Sequence, residues 1–204
     1  MPDLVQIKSK IADMAKLVLS MWQTTFDAFM EHDRALITEV LEKEKTLNLL
    51  EKELNRELVD LGRNLPQQDK EKIAIYINIV GDLELMGDYY KDILERVEIK
   101  ITEKLLFSDA AVEEYTNLYH RTETAMKEVV RALEEDDPSL VKEVVKKDED
   151  IDDMVDGYRN RHNQRMLDGL CSPIACNMYL NMLDFTAAVY YHSKKIARNL
   201  LKIK

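Results

Sequence analysis

"HDRALITEVLEKEKTLNLLEKEL", residues 32–54, can be laid over "DDPSLVKEVVKKDEDIDDMVDGY", residues 136–158. The overlay puts Asp33 on Asp137, Glu44 on Asp148 and Asn48 on Asp152. Similarity at a fixed offset of about half the chain is the mark of an internal duplication. The breaks that follow also repeat. In "LGRNLP" (61–66) and "DGLCSP" (168–173) a proline stands four positions after a glycine, a helix stop followed by a helix start.

Outward from these segments the apolar spacing predicts three helices per half, near 3–31, 34–63 and 68–105, then near 108–135, 138–168 and 174–202. Asp33 and Asp137 are suited to N-capping, and Pro138 to the first helical position. Short connections make neighbouring helices antiparallel, and helices this long need side-by-side packing. The expected fold is all-α: two tandem antiparallel three-helix bundles, residues 1–105 and 108–204.

Composition agrees. Of 204 residues, 46% are apolar and 33% charged, with five glycines and four prolines, which suits a soluble helical protein with a well-buried core. The net charge of −10 argues against nucleic acid, whose phosphates need a basic face, and against a membrane surface. No apolar run approaches the roughly 18 residues of a spanning helix. The start, MPDLVQIKSK, lacks a signal-peptide core. Cys171 and Cys176 are the two cysteines, too few for a disulfide framework, so a reducing cytoplasm is expected. Their spacing fits no zinc pattern, and they read as ordinary buried or half-buried thiols.

The segment "VGDLELMGDYYKDIL" (80–94) interrupts its own apolar stripe. At about 100° per residue, Ile73, Ile77, Val80 and Glu84 share one sector, with Asp88 on its shoulder. On the preceding helix Ile37, Val40, Glu44, Glu51 and Leu58 share another, with Asn48 and Asn55 at its edge. An unpaired carboxylate in a core costs several kcal/mol or takes up a proton. Two readings follow. Oxygens one turn apart can surround a hard or borderline cation. Alternatively the acidic edge faces solvent or is ion-paired, Lys91 being three residues from Asp88. Spacing alone leaves both open. Gly87 implies a close backbone or ligand approach, because a helix-interior glycine costs about 1 kcal/mol against alanine.

At these residues the sequence resembles the PhoU family of phosphate-uptake regulators, over the whole chain. "LELMGD" (83–88) is similar to the family's Leu-Glu-x-x-Gly-Asp motif and supplies Glu84 and Asp88. Glu44, Asn48 and Glu51 match its second-helix pattern, and Asp148 and Asp152 match it in the second half. The resemblance implies metal clusters at these motifs, with iron or a similar divalent or trivalent ion. It also implies a regulatory link between a phosphate transporter and a sensor kinase. The second half departs from the pattern: Ala187 stands at the Glu84 position, Tyr191 at the Asp88 position and Val155 at the Glu51 position. A weaker second site there would rest on Asp148, Asp152 and His192. Binding is therefore expected to be lopsided, with Glu44 or Glu51 opposing Glu84 in the first half. The segment "RNRHNQRMLDGLCSPIA" (159–175) is similar to PhoU-like regions of sodium–phosphate symporters.

The function expected is a non-enzymatic regulator of phosphate uptake acting through protein–protein contacts, with assembly into a homo-oligomer left open. The alternatives are a carboxylate metalloprotein of the di-iron type and a metal-free helical scaffold. Di-iron bundles use Glu-x-x-His pairs. None of the four histidines, His32, His120, His162 and His192, has a Glu three residues before it. Neither a Gly-x-Ser-x-Gly elbow nor a Gly-rich phosphate loop occurs.

Overall fold

The first helix, α1 (Leu4–Glu31), starts on a capping box. The Gln6 amide donates to Asp3 Oδ1 at 2.9 Å while the Asp3 amide donates to Gln6 Oε1 at 3.1 Å. It ends at His32, whose left-handed φ of 59° turns the chain. In this computed structural model, which describes residues 3–63, 65–146 and 150–203, α2 (Arg34–Gly62) and α3 (Gln67–Thr102) follow. The second half holds α4 (Asp109–Glu134), a 3-10 turn (Pro138–Val141), α5 (Lys142–Lys146), α6 (Asp150–Leu167) and α7 (Pro173–Leu200).

The local signals act where the sequence puts them. Asp33 Oδ1 accepts from the Ala35 amide at 2.7 Å, and Asp137 Oδ1 from the Ser139 amide at 2.9 Å. Pro138 opens the 3-10 turn. After α6, Gly169 at φ 73° closes a Schellman turn in which the Leu170 amide donates to the Arg165 carbonyl at 2.9 Å. One element differs. Where a single helix over 138–168 is expected, the described residues form a 3-10 turn, the five-residue α5 and then α6. The first turn winds tightly because Asp137 caps it and its Leu140 amide donates to the Asp137 carbonyl three residues back.

Helices α1, α2 and α3 pack mutually, as do α4, α6 and α7, giving an all-α fold of two three-helix bundles. The bundles join through α3 against α7 and α1 against α4. These four helices therefore form the middle of the molecule, with α2 on one flank and α6 on the other. The core is continuous across the join. At the α1–α4 crossing Phe26 stacks on Tyr119 with ring centres 3.8 Å apart, and Trp22 lies 5.3 Å from both Tyr119 and Tyr90. Burying such large rings removes 150–250 Å² of apolar surface each, so this crossing is a major source of stability.

Candidate functional site: an acidic seam between α2 and α3

The buried stripe of α2 runs Ile37, Val40, Glu44, Leu47, Leu54, Leu58. Glu44 is thus carried into the core by the periodicity of its neighbours, and it is 7% exposed. Helix α3 brings the opposing wall. Gly87 makes the approach close: a Cβ there would lie 2.4 Å from Leu47 Cδ2, and Leu47 is fully buried. The seam tightens because residue 87 has no side chain.

Glu44 Oε1 accepts from Asn48 Nδ2 at 2.6 Å and from Lys91 Nζ at 2.8 Å. Lys91 also pairs with Asp88 Oδ1 at 2.7 Å, the ion pair that the i, i+3 spacing allows. Hydrogen bonds to Asp88 and Glu44 hold the Lys91 ammonium well above the usual lysine range. Two helical turns along, Asn55 Nδ2 donates to Glu51 Oε1 at 2.6 Å, while Asn55 Oδ1 is buried without a partner. Glu84 is half-buried. Burial, then the charges of Asp88 and Glu51, push its carboxyl up, with Lys91 opposing and Glu44 adding to the rise. The structure therefore places Glu44, Glu51, Glu84 and Asp88 in one electrostatic neighbourhood across α2 and α3.

The donor types of this seam suit a hard or borderline cation, although among the described residues no three of its carboxylates converge within 4.8 Å of one another. The seam offers carboxylate oxygens from two helices and the unpartnered amide oxygen of Asn55. The raised Glu84 carboxyl marks a place short of positive charge. Lys91 is the resident cation, and a metal would have to displace it from Glu44 and Asp88.

The residues matched in the second half are placed differently. Asp148 lies outside the described residues, and Asp152 is exposed on α6. His192 is buried and turned toward the first bundle, its Nδ1 2.9 Å from Oδ1 of Asp82 on α3. Lys195 Nζ donates to the same oxygen at 2.8 Å. Val155 is buried in the core, Ala187 packs against it, and Tyr191 is 56% exposed.

Two further polar centres escaped the sequence reading. Glu114 on α4 is 8% exposed and accepts from Arg161 Nε at 2.7 Å, Arg165 Nη2 at 2.6 Å and Tyr179 OH at 3.1 Å. Burial works against its charge, but Arg165 and Arg161 outweigh it and hold the carboxyl below the usual range. The signal was the one that flags Glu44, a carboxylate on an apolar stripe. Lys100, 5% exposed, donates to the Phe29 carbonyl at 3.1 Å at the end of α1, touches His32, and lies 4.3 Å above the Phe29 ring. Burial pushes its ammonium down to about 8.

Comparison with known proteins adds the lineage. The PhoU domain family model matches residues 11–97 and again 116–201. The chain is 28% identical over 158 residues to a phosphate-specific transport system accessory protein PhoU homolog of Aquifex aeolicus, covering 74% of this chain and 68% of that protein. The Clostridium acetobutylicum homolog of the same name is 23% identical over 155 residues, covering 74% and 69%. In fold the chain is similar to PhoU from Pseudomonas aeruginosa, with a TM-score of 0.90 at 19% identity over 97% of this chain and 95% of that one. It is also similar to PhoU of Streptococcus pneumoniae, with a TM-score of 0.86 at 18% identity over 97% and 93%. With the domain matched once in each bundle and together over most of its length, this chain belongs to the PhoU family.

Proposed function

We propose that this protein is a cytoplasmic, non-enzymatic regulator of phosphate uptake that acts by binding a phosphate transporter, a sensor kinase of phosphate signalling, or both. The observation that carries the reading is the doubled PhoU domain, together with the naming of its relatives as phosphate-specific transport system accessory proteins. Among the described residues no helix is long and apolar enough to cross a membrane, in keeping with an adaptor. The sequence likeness at 159–175 favours a sodium–phosphate symporter as the transporter. Deleting the gene in its host and measuring phosphate uptake with a phosphate-starvation reporter tests the role. The expected result is starvation signalling that persists in high phosphate; unchanged uptake and reporter would overturn it. Affinity capture from the same host then identifies the transporter.

Within that role the α2–α3 seam would hold a metal ion such as iron, through Glu44, Glu51, Glu84 and Asp88 with Asn48 beside them. Bound there, the ion would neutralise the carboxylates and link the two helices. The protein's own residues set how readily that happens: Lys91 competes, Asn48 and Asn55 orient Glu44 and Glu51, and Gly87 keeps the helices close. Elemental analysis of protein purified without chelator gives the test. Glu84→Ala with Asp88→Ala is expected to abolish bound iron, and Asp148→Ala with Asp152→Ala to leave it nearly unchanged. Equal loss in both variants, or metal-free wild type after loading with iron, would sink the seam as a metal site.

A further inference from the structure

His162, Cys171 and Cys176 are brought together at the turn between α6 and α7. One ligand atom from each, two thiol sulfurs and a ring nitrogen, lies within 4.8 Å of the others. Among the described residues this is the group of His, Cys, Asp and Glu donors that converges so closely. We propose that these three side chains form a binding site for one thiophilic divalent cation of the Zn(II) class, separate from the acidic seam.

The fold makes this convergence. His162 lies on α6, 1% exposed, with its ring stacked 4.1 Å from Tyr179. The left-handed Gly169 returns the chain so that Cys171 comes to 4.0 Å from His162 Nε2. Ser172 then caps α7, its hydroxyl accepting from the Ala175 amide, and Cys176 follows in the first turn, 1% exposed. In a tetrahedral zinc site with Zn–S near 2.3 Å, two sulfurs stand about 3.8 Å apart. Loading thus needs the donors to close by about 1 Å or less. Cys171 is half-buried, which leaves a solvent side for water in the fourth position.

The surrounding charges suit such an ion. Burial and the Arg165 guanidinium keep His162 neutral, its ring pushed down to about 4, so the imidazole is not lost to protonation at neutral pH. Burial and the neighbouring Cys171 push the Cys176 thiol up to about 11, so Cys176 keeps its proton in the free protein. In the loaded site two thiolates balance one dication, which leaves the buried cluster without net charge. Arg165 is held by Glu114, at 2.6 Å, a carboxylate it shares with Arg161. Arginine has donors alone, so Arg165 Nη2, 3.2 Å from His162 Nδ1, places the ring proton of the free protein on Nε2. Coordination at Nε2 moves that proton to Nδ1 and makes Arg165 draw back from it. That tautomer switch is specific to ligation.

The test is a Zn(II) titration of the full chain, stripped with chelator and kept reduced by a phosphine, against a colorimetric zinc chelator. One tight equivalent is expected, weakened about 100-fold by Cys171→Ser, since each thiolate carries a large share of a zinc site's free energy. Glu84→Ala with Asp88→Ala should leave this equivalent in place, separating it from the seam. Co(II) in place of Zn(II) should give a thiolate-to-metal charge-transfer band that disappears in Cys171→Ser. Because Cys171 is half-buried, that variant is suited to fold, and circular dichroism checks it. An unchanged affinity in Cys171→Ser, a Co(II) spectrum without the band, or no binding by reduced wild type would overturn the site. So would a chain that binds no Zn(II) and instead joins Cys171 to Cys176 as a disulfide in air.

Discussion

Lys91 is the residue on which the acidic seam turns. Its ammonium satisfies Glu44 at 2.8 Å and Asp88 at 2.7 Å, on two different helices. A bound cation and this lysine compete for the same oxygens. Lys91→Met keeps the aliphatic stem, removes the charge, and should raise affinity for Mn(II) by about tenfold, or about 1.4 kcal/mol. Isothermal titration of the two proteins measures it, and equal affinities would mean that the lysine does not guard the seam. The same variant should titrate Glu84 at higher pH, because Lys91 is the one neighbour drawing its pKa down.

At the scale of elements, helix spacing and helix ends carry the consequences. Gly81 and Gly87 lie on one helix and differ in what surrounds them. A Cβ at residue 81 meets nothing within 4 Å, so Gly81→Ala should stabilise the protein by about 1 kcal/mol through helix propensity. Gly87→Ala gains the same propensity but drives a methyl into Leu47. Overpacking costs about 1–3 kcal/mol, so the net effect should be a loss. Opposite signs in urea denaturation check the pair. At the end of α1, Lys100 is buried with its pKa near 8, below the 10.5 of the unfolded chain. Between those values the unfolded chain holds more protons, so stability should rise with pH, on the order of 2 kcal/mol from pH 8 to 10. Lys100→Met has no proton to lose there, and its stability should lack that rise.

Across the whole molecule, Asp82 joins the two repeats. It is 1% exposed and accepts from Lys195, and its oxygen lies 2.9 Å from the His192 ring, so α3 of one bundle is tied to α7 of the other. Removing it leaves His192 facing α3 without its partner. Asp82→Ala should cost about 3 kcal/mol, and Asp82→Asn less, since an amide oxygen still accepts a hydrogen bond. The core is continuous across both bundles, so unfolding should remain a single transition in both variants. Two separated transitions in Asp82→Ala would show that the repeats hold together chiefly through this contact.

The sequence by itself determined what depends on near neighbours. Helix positions followed from apolar periodicity, and starts and stops from Asp33, Asp137, Pro138 and the paired glycine–proline breaks. The duplication followed from the overlay of two segments. It also located the acidic seam, since Glu44 interrupts a stripe whose period fixes its direction. Tertiary structure decided every partner across helices. Lys91 reaches Glu44 from α3, His192 turns to Asp82 in the other bundle, and His162 meets two cysteines around a turn. Periodicity gives the face of a helix, but a partner depends on how far two helices are rotated and shifted against each other. A shift of one turn, about 5.4 Å, replaces one set of neighbours with another. That shift is set by packing of the whole core, by Leu47 against Gly87 and by the aromatic crossing of α1 with α4, and no local run of residues encodes it.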